Sequence, residues 1–258
     1  MQSTAFFDDP RYLRTVVAEK PAAESAAEAH CAARLAGCGP GALILDAGCG
    51  NGRHAVPLAR AGYRVVALDR SRLLLAAARR DAGGAPWPHF VRGTYAELPF
   101  GGGAFHAVLC LGTAIGYLGD EGERAVLHEF RRVLAPGGRL VIETLHRGEI
   151  GARLSEHEDR PLAGGGTLRI DRRFDRRRSL MHEVQRLDDG AADGPARAYD
   201  LRIYGEDELH RMLEHAGFAV IARHASLAGE GDPSRTTPLV LVAEVNGRPR
   251  SAGSGLRE

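Results

Sequence analysis

The sequence predicts an α/β fold: a mostly parallel sheet with helices on both faces. Three observations predict it. The apolar run Leu43-Ile44-Leu45 ends in Asp46 and passes straight into glycines at 48, 50 and 52, followed by a helix-like segment. A second apolar strand, Arg64-Val65-Val66-Ala67-Leu68, ends in Asp69, seventeen residues after Gly52. From 41 to 145, strand and helix patterns alternate, as parallel strands joined by crossover helices require.

The elements follow in order. Residues 1–40 form a helical leader. Its segment Ala22 to Ala36 is alanine-rich with Glu24, Glu28 and Arg34 interspersed, a good helix composition. Gly37 and Gly39-Pro40 stop it. Residues 41–159 form the ligand-binding core. Within it, Glu121 to Leu134 is a helix with Val126, Leu127, Phe130, Val133 and Leu134 on one stripe. Residues 160–204 break the alternation. Thr167 to Phe174 and Ser179 to Leu187 each alternate at period two, with Asp175-Arg176-Arg177-Arg178 as the turn between them. Ala198 to Tyr204 is a third candidate, after the loop Asp188 to Pro195. The segment reads as a small antiparallel insertion sheet. Residues 205–246 return to the core sheet, making 1–246 a single domain. The Gly-, Ser-, Pro- and Arg-rich stretch 247–258 reads as a disordered tail.

Composition narrows the function classes. The 258 residues carry a formal net charge of +1, which gives no long-range pull on nucleic acid or an acidic membrane. Lys20 is the sole lysine, so 33 of the 34 basic residues are arginine. With abundant Ala and Gly, this reflects a GC-rich genome more than arginine chemistry, and Arg172-Arg173 and Arg176-Arg177-Arg178 are read in that light. Cys31, Cys38, Cys49 and Cys110 lack metal-ligand spacing, so reduced thiols and no metal are expected. There is no apolar stretch of signal-peptide type and no run long enough to span a bilayer, so a cytoplasmic protein is expected. Association with a second copy of the chain stays open.

The glycines carry the chemistry. A side chain there would hold a ligand away from the backbone. The helix N-terminus that follows offers unpaired N–H groups. An acid at the tip of the second strand of a β-α-β unit is placed to accept hydrogen bonds from both ribose hydroxyls. Together these imply a nucleoside-containing cofactor. A dinucleotide fold expects Gly-x-Gly-x-x-Gly, whose backbone wraps a pyrophosphate. Here the spacing is Gly48-x-Gly50-x-Gly52, preceded by Asp46.

That form resembles motif I of the class I S-adenosylmethionine-dependent methyltransferases. The resemblance continues. Val91 to Phe100 is similar to the segment that flanks adenine, and Phe105 to Leu111 to the fourth strand, which ends beside the methionine part of the cofactor. Leu134-Ala135-Pro136-Gly137-Gly138 to Ile142 resembles the turn into the fifth strand. Ala216 to Ile221 and Pro238 to Ala243 resemble the antiparallel pair that closes the sheet. The likeness covers roughly 40–145 and 200–246. It implies a Rossmann-like seven-stranded sheet, mostly parallel with a C-terminal antiparallel strand, and S-adenosyl-L-methionine as cofactor. Two positions depart from the pattern. Thr94 stands where the family usually has an acid that meets the adenine amino group, and Phe105-His106 replaces Phe-Asp.

The site implied by the resemblance comprises Asp46, Gly48, Gly50, Gly52, Asp69, Arg70, Thr94, Tyr95 and Leu111, with Tyr12 as a lid and Arg14 on the methionine carboxylate. Ligands bind outside the carboxyl ends of the strands of an open α/β sheet. This selects Tyr117, after the fourth strand, to orient the acceptor, and His146, after the fifth, as a base. A base is needed where the acceptor must lose a proton, and His has a suitable pKa. The insertion is expected to cover the acceptor. Gly52-Arg53-His54, Gly116-Tyr117 and the insertion together resemble the bacterial small-molecule branch. The expected activity is methyl transfer to N, O or C of a small molecule, compatible with natural-product biosynthesis. RNA methylation, supported by the arginine cluster alone, and a non-catalytic adenosine-cofactor binding protein are the alternatives; nucleic acid is disfavoured as a partner.

Overall fold

Short apolar strands that end in an acid or a glycine recur through the first half of the chain, and the computed structural model lays them side by side. It describes residues 6–16, 20–150, 154–162, 165–188, 196–227 and 238–246. The expected tail, 247–258, and most of the loop Asp188 to Pro195 lie outside the described residues.

Helices α1 (Pro10–Val16) and α2 (Ala22–Leu35) precede β1 (Leu43–Ala47). Then follow α3 (Ala55–Arg60), β2 (Arg64–Asp69), α4 (Arg72–Ala82), β3 (His89–Arg92), β4 (Phe105–Cys110), α5 (Gly119–Val133) and β5 (Leu134–Thr144). After the insertion come α6 (Glu206–His215), β10 (Phe218–His224) and β11 (Leu239–Val245). The sheet order is β10-β11-β5-β4-β1-β2-β3. β1 runs parallel to β2 and β4, β2 to β3, and β4 to β5, whereas β11 is antiparallel to both β5 and β10. The strand order reverses at β1, so the crevice between the ends of β1 and β4 is the topological switch point.

Alternation along the strands builds a core on each face. Leu45 joins Val126, Leu127 and Phe130 of α5 and Leu209 and Leu213 of α6. Its neighbour Ile44 joins Ala29 and Ala32 of α2, Leu58 of α3 and Leu75 of α4 on the other face. The alanines of α2 let that helix lie close to the sheet.

The insertion is a separate antiparallel sheet of β6 (His157–Pro161), β7 (Thr167–Asp175), β8 (Leu180–Asp188) and β9 (Arg197–Arg202). It begins three residues before the expected boundary and has four strands, not three. His157-Glu158-Asp159-Arg160-Pro161 has no apolar alternation, so nothing in its sequence marks it as a strand. It is an edge strand, where charges and a proline are tolerated. The turn between β7 and β8 is closed by Asp175, whose Oδ1 accepts from the Arg177 and Arg178 N–H groups at 2.9 and 3.1 Å.

This sheet is latched to the core where β9 meets the loop after β4. The Arg202 N–H donates to the Gly116 carbonyl at 2.8 Å, and the Arg202 guanidinium pairs with Asp120 and Glu208. Met181, Leu201 and Ile203 pack with Ile150 beneath the joint. Gly116 has φ +112°, and a Cβ there would collide with the Arg202 carbonyl oxygen. Gly116→Ala is therefore expected to cost on the order of 1–3 kcal/mol in backbone strain alone. Thermal unfolding should register the loss, and hydrogen exchange of the Arg202 amide should quicken while that of β1 does not.

Candidate functional site

Two cavities open at the carboxyl ends of the parallel strands, and they share a wall. The first encloses about 750 Å³ with its mouth, over the glycine loop and the end of β2. The second, about 1510 Å³ with its mouth, lies between the core and the insertion sheet. Gly48, Gly50, Leu111, Gly112, Thr113 and Tyr117 belong to both, as do Phe7 and Tyr12 from the leader.

The first cavity is built around Asp69. Burial leaves this carboxyl 8% exposed and raises its pKa. Its Oδ2 accepts from the Gly50 N–H at 2.8 Å and its Oδ1 from the Ser71 N–H at 2.7 Å. Each oxygen keeps a free lone pair for a ligand hydroxyl. Gly50 sits at φ +56°, and a Cβ there would project into open space; the bare backbone is what a ligand meets. Gly48, at φ +82°, serves packing as well, since a Cβ would lie 2.9 Å from Ala114 Cβ.

Of the expected site residues, Gly48, Gly50, Asp69, Arg70, Thr94 and Tyr95 line this cavity together with Leu111, Tyr12 and Tyr117. The Tyr95 hydroxyl donates to the Ala114 carbonyl at 2.6 Å, so the ring is what it offers. Three others stand apart from the lining. Gly52 packs the loop on α4: a Cβ there would lie 2.9 Å from Ala78 Cβ. Asp46 lies beneath the loop, 1% exposed. His146 lines neither cavity. The chain turns after Thr144 into a 3₁₀ turn, Arg147–Glu149, and the His146 ring folds over Gly148, where a Cβ would lie 3.0 Å from its Cε1. The structure thus places Tyr117 on the wall between the cavities and does not bring His146 to it. The Arg14 side chain lies outside the described residues.

Sequence reasoning passed over several residues of the second cavity. Glu143, at the end of β5, lines it at 6% exposure. Lys20, Arg53 and His54 also line it, and all three converge on Glu28 of α2. Burial raises the Glu28 pKa, but hydrogen bonds from His54, Lys20 and Arg53 outweigh it and hold the carboxyl well below its usual range. Burial pushes His54 down to about 4, so its ring is neutral. On the insertion side, Arg172, Glu183 and Tyr199 stand directly opposite one another on β7, β8 and β9. Glu183 accepts from Arg172 Nε at 2.7 Å and from Gln185 Nε2 at 2.8 Å. Phe7 and Phe6 join Tyr12, Tyr117 and Tyr199 in one aromatic cluster with centroids 4.8–6.2 Å apart. Alternation could have placed Glu183 and Gln185 on the inner face of β8, in register with Met181.

A family model described as a methyltransferase domain matches residues 44–138, the stretch that supplies all of the first cavity's lining but Phe7 and Tyr12. By that match, this stretch is similar to methyltransferase domains. An uncharacterised methyltransferase of Synechocystis is 35% identical over 108 residues, 42% of this chain and 49% of that protein. The demethylmenaquinone methyltransferase of Clavibacter sepedonicus is 38% identical over 102 residues, 40% of each chain. The chain spans less than half the length of these curated relatives. Among solved structures, the CcbJ methyltransferase of Streptomyces caelestis superposes with a TM-score of 0.78 at 24% identity, covering 93% of this chain and 98% of that one. S-adenosylmethionine-bound CalS10 of Micromonospora echinaspora, an amino pentose methyltransferase, gives 0.66 at 24% identity, covering 92% and 97%. The whole chain thus has the fold of S-adenosylmethionine-dependent methyltransferases.

The cofactor of that family is S-adenosylmethionine, and the residues present fit it. The Gly50 cradle is open, Asp69 keeps acceptor capacity at the end of β2, and Asp46 Oδ2 is buried without a hydrogen-bond partner. Burial raises the Asp46 pKa to about 7. Its folded pKa therefore exceeds the ordinary value of 3.8. The protonated form contributes stability that is fully present below the ordinary value and is lost as pH rises through the folded one. Asp46→Asn keeps the shape and does not titrate. The protein without ligand should then gain stability over the native chain between pH 4 and pH 8, on the order of 4 kcal/mol at most. Thermal unfolding across that range checks it; a difference that does not grow with pH contradicts it.

Proposed function

We propose that the protein transfers the methyl group of S-adenosylmethionine to a small-molecule acceptor bound beneath the insertion sheet. The observation that carries this is the shared wall: the cavity over the glycine loop ends where the cavity under the insertion begins. When bound, the cofactor supplies a methyl made electrophilic by its sulfonium.

The chain's own part is positioning. Asp69 would hold the ribose diol, and the backbone from Gly48 to Gly50 would lie under the methionine moiety. Thr94 and Tyr95 would flank the adenine, with Leu111 and Arg70 closing the sides. Tyr117, Tyr12 and Phe7 would fence the shared wall with aromatic faces, which attract a cationic group and exclude water. Holding reacting atoms near attack geometry can supply roughly 7–11 kcal/mol of a barrier.

A metabolite-sized acceptor is supported by the second cavity under the insertion sheet, and the likeness to a calicheamicin-pathway amino pentose methyltransferase supports a role in natural-product biosynthesis. No helix among the described residues is long and apolar enough to cross a membrane. We place the enzyme in the cytoplasm. The RNA reading loses part of its support. The Arg172 side chain is 10% exposed and turned inward onto Glu183 and Glu158, leaving Arg176, Arg177 and Arg178 on an exposed turn.

Two measurements test this. Asp69→Ala should weaken cofactor binding by roughly 1.5–3 kcal/mol for each lost charge-assisted hydrogen bond. Calorimetric affinity equal to that of the native chain would sink the assignment. Changing Arg176, Arg177 and Arg178 together to Ser should leave isotopic methyl transfer into small metabolites intact. Label appearing in RNA instead, with a steep salt dependence that the triple variant loses, would decide for the RNA reading.

A further inference from the structure

We propose that the acceptor is a primary or secondary amine and that Glu143 receives it, taking its N–H and leaving the nitrogen lone pair free toward the methyl. This rests on the methyl-transfer reading above and adds to it the acceptor's chemical class.

Position comes first. Glu143 is the penultimate residue of β5, at the carboxyl end of the sheet. Its Oε2 accepts from the Gly112 N–H at 2.8 Å, and its backbone carbonyl accepts from the Thr113 N–H at 3.1 Å. Gly112 and Thr113 belong to both cavities. The carboxylate is therefore pinned to the wall across which the methyl must pass. Among the described residues, the Gly112 N–H makes the only hydrogen bond to this carboxyl group, and Oε1 is left to whatever enters the second cavity.

Charge comes next. The cations that face Glu143 are Lys20 and Arg53, and both are engaged by Glu28, which itself opposes the Glu143 charge. Arg160 and Arg172, across the cavity, are engaged by Glu158 and Glu183. A buried carboxylate whose nearby cations already serve others is poised for a cationic or N–H-bearing ligand. Burial raises its pKa.

The chemistry then selects among acceptors. A carboxylate takes a proton from an amine that is becoming cationic far more readily than from an alcohol, which is much the weaker acid. Among the described residues, the one histidine lining either cavity, His54, is held on Glu28 at 3.3 Å. An amine needs no strong base, because its neutral lone pair attacks. The N–C bond forms as the S–C bond breaks, and the bonding pair stays on sulfur. The positive charge moves from sulfur to nitrogen. A carboxylate beside that nitrogen stabilises the charge as it develops. The proton leaves nitrogen for Glu143 and passes to water at the cavity mouth. Glu143 thus acts both in positioning and as proton acceptor.

The test uses the full chain loaded with isotopically methyl-labelled S-adenosylmethionine and a metabolite extract as acceptor source. Half of the extract is treated with formaldehyde and cyanoborohydride, which caps primary and secondary amines and spares hydroxyls and carbon acids. The native chain should label the untreated half and not the capped half. Glu143→Gln keeps the acceptor for Gly112 and nearly the same volume. It should lower labelling about 10²–10⁴-fold and change calorimetric cofactor affinity less than threefold. Glu143→Asp should restore part of the rate. Label that survives capping overturns the amine assignment. Native labelling by Glu143→Gln overturns the role of Glu143, and a large loss of cofactor affinity makes it a cofactor residue instead. A native chain that binds the cofactor yet labels neither half overturns the methyl-transfer reading and this inference with it.

Discussion

The Asp69 carboxylate joins the parts on which the site depends. One oxygen holds the Gly50 N–H and the other the Ser71 N–H, so the glycine loop and the start of α4 hang from the end of β2. The Leu68 carbonyl adds bonds from the Gly48 and Cys49 N–H groups at 2.8 and 3.0 Å. Ser71 carries the linkage outward. Its hydroxyl accepts from the Leu74 N–H as the cap of α4 and donates to the Phe7 carbonyl at 2.9 Å. Phe7 stacks edge-on against Tyr117 and Tyr12, and Phe6 against Tyr199 of the insertion. A strand-end acid thereby sets the loop, the leader and the contact between leader and insertion. This economy has a consequence: a change at Asp69 acts on the loop's shape as well as on its contact with a ligand.

The insertion sheet meets the core with a graded inner face. Nearest the joint, Phe174, Met181 and Leu201 stand opposite one another across β7, β8 and β9, and they merge with Ile203 and Ile150. The next row is Arg172, Glu183 and Tyr199, and the one after it Ile170, Gln185 and Arg197. The apolar row supplies adhesion through buried area. The polar rows are satisfied mostly from within, by Arg172, Gln185 and Tyr199 on Glu183 and by Glu158 on Arg172. Arg197 is the exception, with Nη1 buried and unpartnered while its guanidinium lies 5.3 Å from the Phe6 ring centroid. A polar roof over an acceptor cavity costs stability that an apolar one would not, and it suits a hydrophilic molecule better than a greasy one.

Much of this was legible in the sequence because the informative residues obey local rules. Apolar runs ended by Asp46 and Asp69, glycines at alternate positions, and the period-two alternation of β7 and β8 each report local backbone geometry. The core sheet and the lining of the first cavity follow from them. What was not legible depends on where a chain turns after it leaves an element. His146 was selected because it follows the fifth strand, but the 3₁₀ turn behind it folds its ring onto its own loop. β6 was hidden because an edge strand can be built from charged residues. Glu143 did carry a signal: Leu140-Val141-Ile142 ends in an acid at the same end of the sheet as Leu45-Asp46 and Leu68-Asp69. Its weight is apparent only once the three strands are side by side.

Those three acids define what the site asks of its ligands. Asp46, Asp69 and Glu143 stand at the carboxyl ends of β1, β2 and β5, the first and last of them one residue short of the end, and burial raises the pKa of each. Asp69 also opposes the ionisation of Asp46. Arg53, which opposes the shift at Asp46 and Glu143, is shared with Glu28, and Asp46 Oδ2 has no partner. Burying carboxylates without equal compensation is unfavourable, and a cationic ligand is the simplest relief. S-adenosylmethionine, with a sulfonium and an ammonium against one carboxylate, would bring a net positive charge, and the proposed loss of its methyl would remove the sulfonium's share. The site would then match the product less well than the substrate by one charge. In a low-dielectric cavity that difference would favour release. The same acids that weaken the ligand-free fold thus give binding its direction.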